Sequence, residues 1–117
     1  MKFSNIIIFL LVSLISLGYH DITCYHAITK ECDSEPNIGA YGRVAVGGNP
    51  IGFSCAVNFL SKGTKITIPK LTGQIVWTVR DKLNKRFPQR VDLLFPLDET
   101  LGGVRNAEIF KVIKTVK

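Results

Sequence analysis

Two carboxylates, Asp81 and Asp92, bracket a strongly basic stretch: Arg80-Asp81-Lys82-Leu83-Asn84-Lys85-Arg86-Phe87-Pro88-Gln89-Arg90-Val91-Asp92. Asp81 ends one β-rich run and Asp92 lies just inside the next, so a loop between two strand ends can turn both acids into one cleft. Cleaving a glycosidic bond needs a carboxylic acid to protonate the leaving oxygen, and often a second carboxylate to steady charge on the sugar. Partial burial and a neighbouring like charge raise one carboxyl's pKa so that it keeps its proton, whereas Lys and Arg push the other way. The same segment also reads as a solvated hairpin whose acids pair with Lys82, Arg86 or Arg90. Recognition of nucleic acid has less support, because Phe87 is the loop's only aromatic and no second ring is there for base stacking.

Other chemistries find little footing. Ser34, Ser54 and Ser61 lie in no G-x-S-x-G context, which leaves a serine hydrolase without support. Gly47-Gly48 falls between strand candidates rather than before a helix, so it is not a phosphate loop. Cys24, Cys32 and Cys55 make an odd set: any one disulfide leaves a thiol over, and the spacing does not choose among the three pairings. Zinc bound with the help of His20 and His26 is the alternative use of these cysteines, but no C-x2-C or H-x3-H spacing accompanies them. The two histidines read instead as surface or strand-edge residues.

The elements that must position these residues are short strands. The apolar run Ile6–Leu17 follows Met1-Lys2, is interrupted only by Ser13 and Ser16, and ends in Ser16-Leu17-Gly18. That is the layout of a secretory signal peptide, and the run is shorter than the roughly 20 residues a membrane span needs. The expectation is therefore a signal at 1–18, one domain at 19–117, and a secreted or cell-envelope location, with membrane contact only through an uncleaved signal. The whole chain has 117 residues, 46% hydrophobic and 21% charged, ordinary values that exclude wholesale disorder. Lys2 is the only charge in 1–18, so residues 19–117 carry +5 against +6 for the whole chain, a balance suited to an anionic wall polymer or a membrane surface.

Strand candidates follow at Asp21–Ala27, Arg43–Val46, Phe53–Leu60, Thr64–Ile68, Gln74–Val79, Val91–Phe95 and Ala107–Val116. Thr29–Gly42 reads as loop, Gly47-Gly48-Asn49-Pro50 as a turn, Pro69 as a strand stop, and Asp98–Leu101 as one helical turn capped by Asp98. Six or seven short strands at this spacing predict a small all-β barrel.

In this order the motifs resemble a known family. Asp33-Ser34-x-Pro36, Asn58-Phe59-Leu60-x-x-Gly63-Thr64-Lys65-Ile66-x-Ile68-Pro69, Gly73, Val79-Arg80-Asp81-x-x-Asn84-Lys85-Arg86-Phe87, Arg90-Val91-Asp92, and Asp98-Glu99…Gly103-Val104-Arg105-x-Ala107 look like the bacterial three-aspartate (3D) domain. That family is similar to the catalytic domain of membrane-bound lytic transglycosylase A and to the stationary-phase survival muralytic domains. The resemblance covers about Asp21 to Lys117. It implies a six-stranded double-psi β-barrel that cuts the MurNAc–GlcNAc β-1,4 bond of peptidoglycan without water and leaves a 1,6-anhydro sugar. Peptidoglycan glycan strands would be the partner and the protein a monomer, with no nucleic acid, metal or organic cofactor.

By motif, Asp92 matches the family's acid/base and Asp81 its supporting carboxylate. Lys82, Asn84, Lys85, Arg86, Arg90 and Thr64 then become substrate-binding candidates. The family's third aspartate falls where this chain has Cys55-Ala56-Val57. A non-catalytic, glycan-binding barrel of the same fold is the alternative expectation.

Overall fold

The computed structural model describes residues 11–29, 31 and 35–116. Along the chain come β1 (Leu11–Tyr25), β2 (Ile38–Gly39), β3 (Gly42–Arg43), β4 (Ala45–Val46), β5 (Asn49–Pro50), β6 (Ser54–Val57), β7 (Lys65–Thr67), α1 (Pro69–Thr72), β8 (Val76–Asp81), β9 (Val91–Leu94) and β10 (Arg105–Val116). Six of them close into a barrel in the order β1-β10-β7-β8-β6-β9. The closed sheet is mixed: β1–β9 and β6–β8 pair in parallel and the other neighbours antiparallel. The fold is thus the expected all-β barrel.

Period-two alternation fills its interior. Ile22 on β1, Cys55 and Val57 on β6, Trp77 and Val79 on β8, Val91 and Leu93 on β9, and Ala107 and Ile109 on β10 are all buried in one cluster. Alternate residues therefore face outward, and closure leaves the barrel's ladders without a free edge over this core.

A second, smaller cluster lies outside the barrel wall. Tyr25, Ala56 and Leu94, on outward positions of their strands, pack with Ala27, Val44 and Ala45. This contact holds the segment from Asn37 to Pro50 against the barrel as a flap made of two hairpins, β2–β3 and β4–β5. Gly47 and Gly48 turn the second hairpin with φ of +56° and +83°, the pair of left-handed residues that a two-residue I′ turn needs.

Several local expectations are corrected. The β2–β3 hairpin forms inside the stretch read as loop. Among the described residues the one helix is α1, which Pro69 begins rather than merely ending β7, since a proline at the first helical position gives up no hydrogen bond. Asp98–Leu101 is not helical: Glu99 N–H bonds back to Pro96 O, and Leu101 N–H is taken by Cys24 Sγ at 3.3 Å.

β1 also begins well before Asp21. Leu11–Gly18, which the sequence assigns to the signal, form its outer part, and Leu11–Ser16 pair with Phe110–Val116. A register irregularity between Ser16 and Tyr19, where Gly18 has φ +83°, separates that arm from the barrel portion of the strand. Residues 1–10 of the expected signal lie outside the described residues.

Candidate active site

Register brings the two acids together. Thr23 on β1 pairs with Asp92 on β9, Asp92 pairs with Ala56 on β6, and Ala56 pairs with Asp81 on β8. These four form one row across adjacent strands on the outer face of the barrel. Asp81 reaches that face only through a bulge. Cys55 pairs with Val79 and Ala56 with Asp81, so Arg80 is an extra residue on β8. Without it Asp81 would follow Trp77 and Val79 into the interior; β-bulges re-aim side chains in this way beside functional sites.

Asp92, Ala56 and Asp81 of this row line a cleft of about 530 Å³. Ala56, with its small side chain, lies between the acids in the row, and Tyr25, the flap residues Ile38, Gly39 and Ala40, and Lys82 and Leu83 line the cleft with them. Glu31, Glu35, Asn84 and Phe87 also line it.

The two acids are held differently. Asp81 is committed to structure: Oδ1 accepts from the Ala40 N–H at 2.7 Å and the Lys82 N–H at 2.8 Å, and Oδ2 from the Tyr25 hydroxyl at 3.3 Å. Gly39 lies so close that a Cβ there would stand 2.9 Å from Asp81 Cγ and from Arg80 O, so the flap is pinned directly onto this carboxylate. Asp92 has one hydrogen-bond partner among the described residues, the Thr23 hydroxyl, which donates to Oδ1 at 2.8 Å. Burial pushes the Asp92 carboxyl up to about 6; the Thr23 hydrogen bond and the Arg90 charge oppose this, while Glu31 and Asp81 add to it.

Glu31 is itself fixed. Its carboxylate accepts from the His26 backbone N–H at 3.1 Å and lies 2.9 Å from His26 Nδ1, whose Nε2 is 2.6 Å from Glu99 O. His20 has its ring nitrogens 2.7 Å from Gln89 O and 2.9 Å from Leu17 O, and it stacks on Phe59. Both histidines are half-buried and tied to backbone carbonyls. Among the described residues, no three His, Cys, Asp or Glu side chains converge as metal ligands.

The basic loop is divided by the structure. Lys82 lines the cleft, with Nζ 5.6 Å from the Tyr41 ring centroid. Asn84 lines it too, but its side chain also shapes the loop by accepting the Arg86 N–H, and Asn58 grips the same loop through Leu83 N–H and the carbonyls of Asn84 and Phe87. Arg86 and Arg90 are not brought to the cleft; they lie beyond Phe87, around a second hollow. Lys85 is exposed and lines neither. Thr64 belongs to the turn entering β7, with Oγ1 3.1 Å from Ser61 Oγ, and is likewise outside the cleft.

A Cys24–Cys55 disulfide is ruled out by register. Both residues pair with Leu93, from opposite sides, so they sit two strand spacings apart, roughly 10 Å, beyond the reach of a disulfide. Both are free thiols. Cys32, like the motif residues Asp33 and Ser34, lies outside the described residues.

Sequence reasoning missed Thr23, Ala56, Tyr25 and Glu31. Their proximity to the acids is a matter of strand register and loop return, and no local pattern announces it. No protein-family model, curated protein or solved structure matches the chain.

Proposed function

We propose that the protein is a peptidoglycan lytic transglycosylase that cleaves the MurNAc–GlcNAc β-1,4 bond with a 1,6-anhydro product, in the cell envelope and in the service of wall turnover. One observation carries the reading: Asp92 is a carboxyl on an open cleft, with a pKa raised by burial to about 6 and one hydrogen-bond partner among the described residues. Such a group holds a proton in mildly acidic solution and can still release it, as a general acid must.

The division of labour between the acids supports a single acid/base. Both oxygens of Asp81 are occupied by the flap, Lys82 N–H and Tyr25, so it is poorly placed to attack a sugar carbon or to activate water. Asp92 donates its proton to the glycosidic oxygen, and the GlcNAc leaving group departs. As carboxylate it then accepts the proton of the muramyl 6-hydroxyl while that oxygen bonds to C1, which restores the acid. No water enters the balance. Asp81 contributes the field of a fixed negative charge near the oxocarbenium-like state, a role its hydrogen bonds do not prevent.

The test is mass spectrometry of peptidoglycan incubated with the full chain and with Asp92→Asn. The expected result is 1,6-anhydro-muropeptides from the wild type and at least a ~100-fold slower release from the variant, the usual scale of a lost general acid. Equal rates would end the reading. Retention on the wall with no product from either protein would move the assignment to the glycan-binding barrel.

A further inference from the structure

Phe87 is shared between two depressions. One side of the residue lines the carboxylate cleft; the other lines a hollow of about 330 Å³ with His20, Asp21, Arg86, Arg90 and Asn106 around it. The guanidinium carbons of Arg86 and Arg90 lie 4.8 Å and 4.0 Å from the Phe87 ring centroid. Among the described residues neither forms an ion pair. Both arginines line the hollow, so an anion seated there meets two guanidinium groups.

His20, at the same rim, has its ring nitrogens held against the Gln89 and Leu17 carbonyl oxygens. The acid at the rim, Asp21, accepts from Asn106 Nδ2 at 3.2 Å. The cleft on the other side of Phe87 has the opposite character, with Asp81, Asp92, Glu31 and Glu35 against Lys82.

We propose that this hollow is a subsite for a carboxylate carried on a branch of the polymer whose uncharged glycan lies in the cleft. The inference rests on the glycan reading of the cleft and adds the charge that orients the substrate across Phe87. An acidic cleft repels an anionic branch, and the guanidinium pair beyond Phe87 receives it; a guanidinium fork matches a carboxylate edge to edge. The subsite also bears on the chemistry. Arg90 is the charge that works against proton retention by Asp92, so a carboxylate seated on Arg90 favours the acid form of Asp92 once substrate is docked.

Calorimetric titration of the full chain tests this with two probes: an N-acetylmuramyl dipeptide with free carboxyls, and the same compound fully amidated. The wild type is expected to bind the free acid at least about tenfold more tightly than the amide, a 1.4 kcal/mol difference. The R86Q/R90Q variant should bind both alike, at the weaker level, and K70Q, on exposed α1, should match the wild type.

Equal binding of acid and amide by the wild type overturns the subsite without relying on any variant. So does an equal loss in K70Q, which would mean unspecific attraction to a basic protein. Inorganic phosphate displacing the acid probe at equal concentration overturns the carboxylate assignment in favour of a phosphate ligand. The cleavage assay is independent of these outcomes: anhydro product with no acid preference removes the subsite alone, and acid preference with no product removes the cleavage chemistry alone.

Discussion

Asp92 links the chemistry to the pH response of the fold. Its folded-state pKa of about 6 lies above the ordinary 3.8, so the folded protein binds this proton more tightly than the unfolded chain does. The resulting stabilisation is fully present below about 3.8 and is lost as pH rises through about 6. At most it amounts to about 3 kcal/mol, from the size of the shift. Wild-type thermal stability should therefore decline between pH 4 and pH 7 by more than that of Asp92→Asn, and at pH 8 the variant should be the more stable protein. Activity should fall over the upper part of the same range, as the acid form disappears. Melting curves of the two proteins across that window check the first claim; parallel curves would show that Asp92 is not a buried acid. Stability gained at the expense of rate is the mark of a charge placed for chemistry rather than for folding.

At the scale of elements, the site is a flap clamped over a bulge. The β2–β3 hairpin has two-residue strands, too short to persist alone, and is held by Ala40 N–H on Asp81, Tyr41 N–H on Arg80 O, and the close approach of Gly39. Gly39→Ala places a methyl group 2.9 Å from Asp81 Cγ and Arg80 O, so the flap must lift. The expected outcome is at least a ~10-fold loss of glycan cleavage with less than about 1 kcal/mol lost in barrel stability, because the buried interior is untouched. Activity and denaturant midpoint measured on one preparation decide it, and unchanged activity would show that the flap position is irrelevant to the cleft. This arrangement also explains what the sequence could and could not convey. Alternation in Thr64–Ile68 and Ala107–Val116, the prolines that bound Val91–Phe95, and the Gly47-Gly48 turn are local signals, and they yielded β7, β10, β9 and the turn between β4 and β5, while Asn49-Pro50, read as turn, forms β5 itself. The extra residue at Arg80 has no local signature, and the β2–β3 hairpin depends on a carboxylate some 40 positions away. Asp81 and Asp92 were legible as a pair because a loop joins them; Thr23, 69 residues from Asp92, was not, because only the β1–β9 register makes them neighbours.

For the molecule as a whole, closure of the barrel protects the row behind the site. Cys55 sits on β6, paired to β8 on one side and β9 on the other, with its side chain in the interior. Burial pushes its thiol up to about 12, Asp92 adds to the rise, and Arg80 opposes it, so almost no thiolate exists near neutral pH. Two barriers thus stand between Cys55 and an alkylating reagent, and a closed ladder offers no fraying edge by which to pass them locally. Pulse alkylation followed by peptide mapping should find Cys55 unmodified in the native protein, with labelling that rises with denaturant on the same curve as the loss of β-sheet circular dichroism. The partly buried Cys24, bonded through sulfur to the Leu101 N–H near the chain's outer loops, should be modified at lower denaturant. Labelling of Cys55 ahead of the global transition would mean that β6 parts from β8 or β9 in the native state. Since Ala56 and the bulge opposite it share that seam, the row of Thr23, Asp92, Ala56 and Asp81 could not then hold its geometry, and a rigid cleft would have to give way to one assembled only on binding.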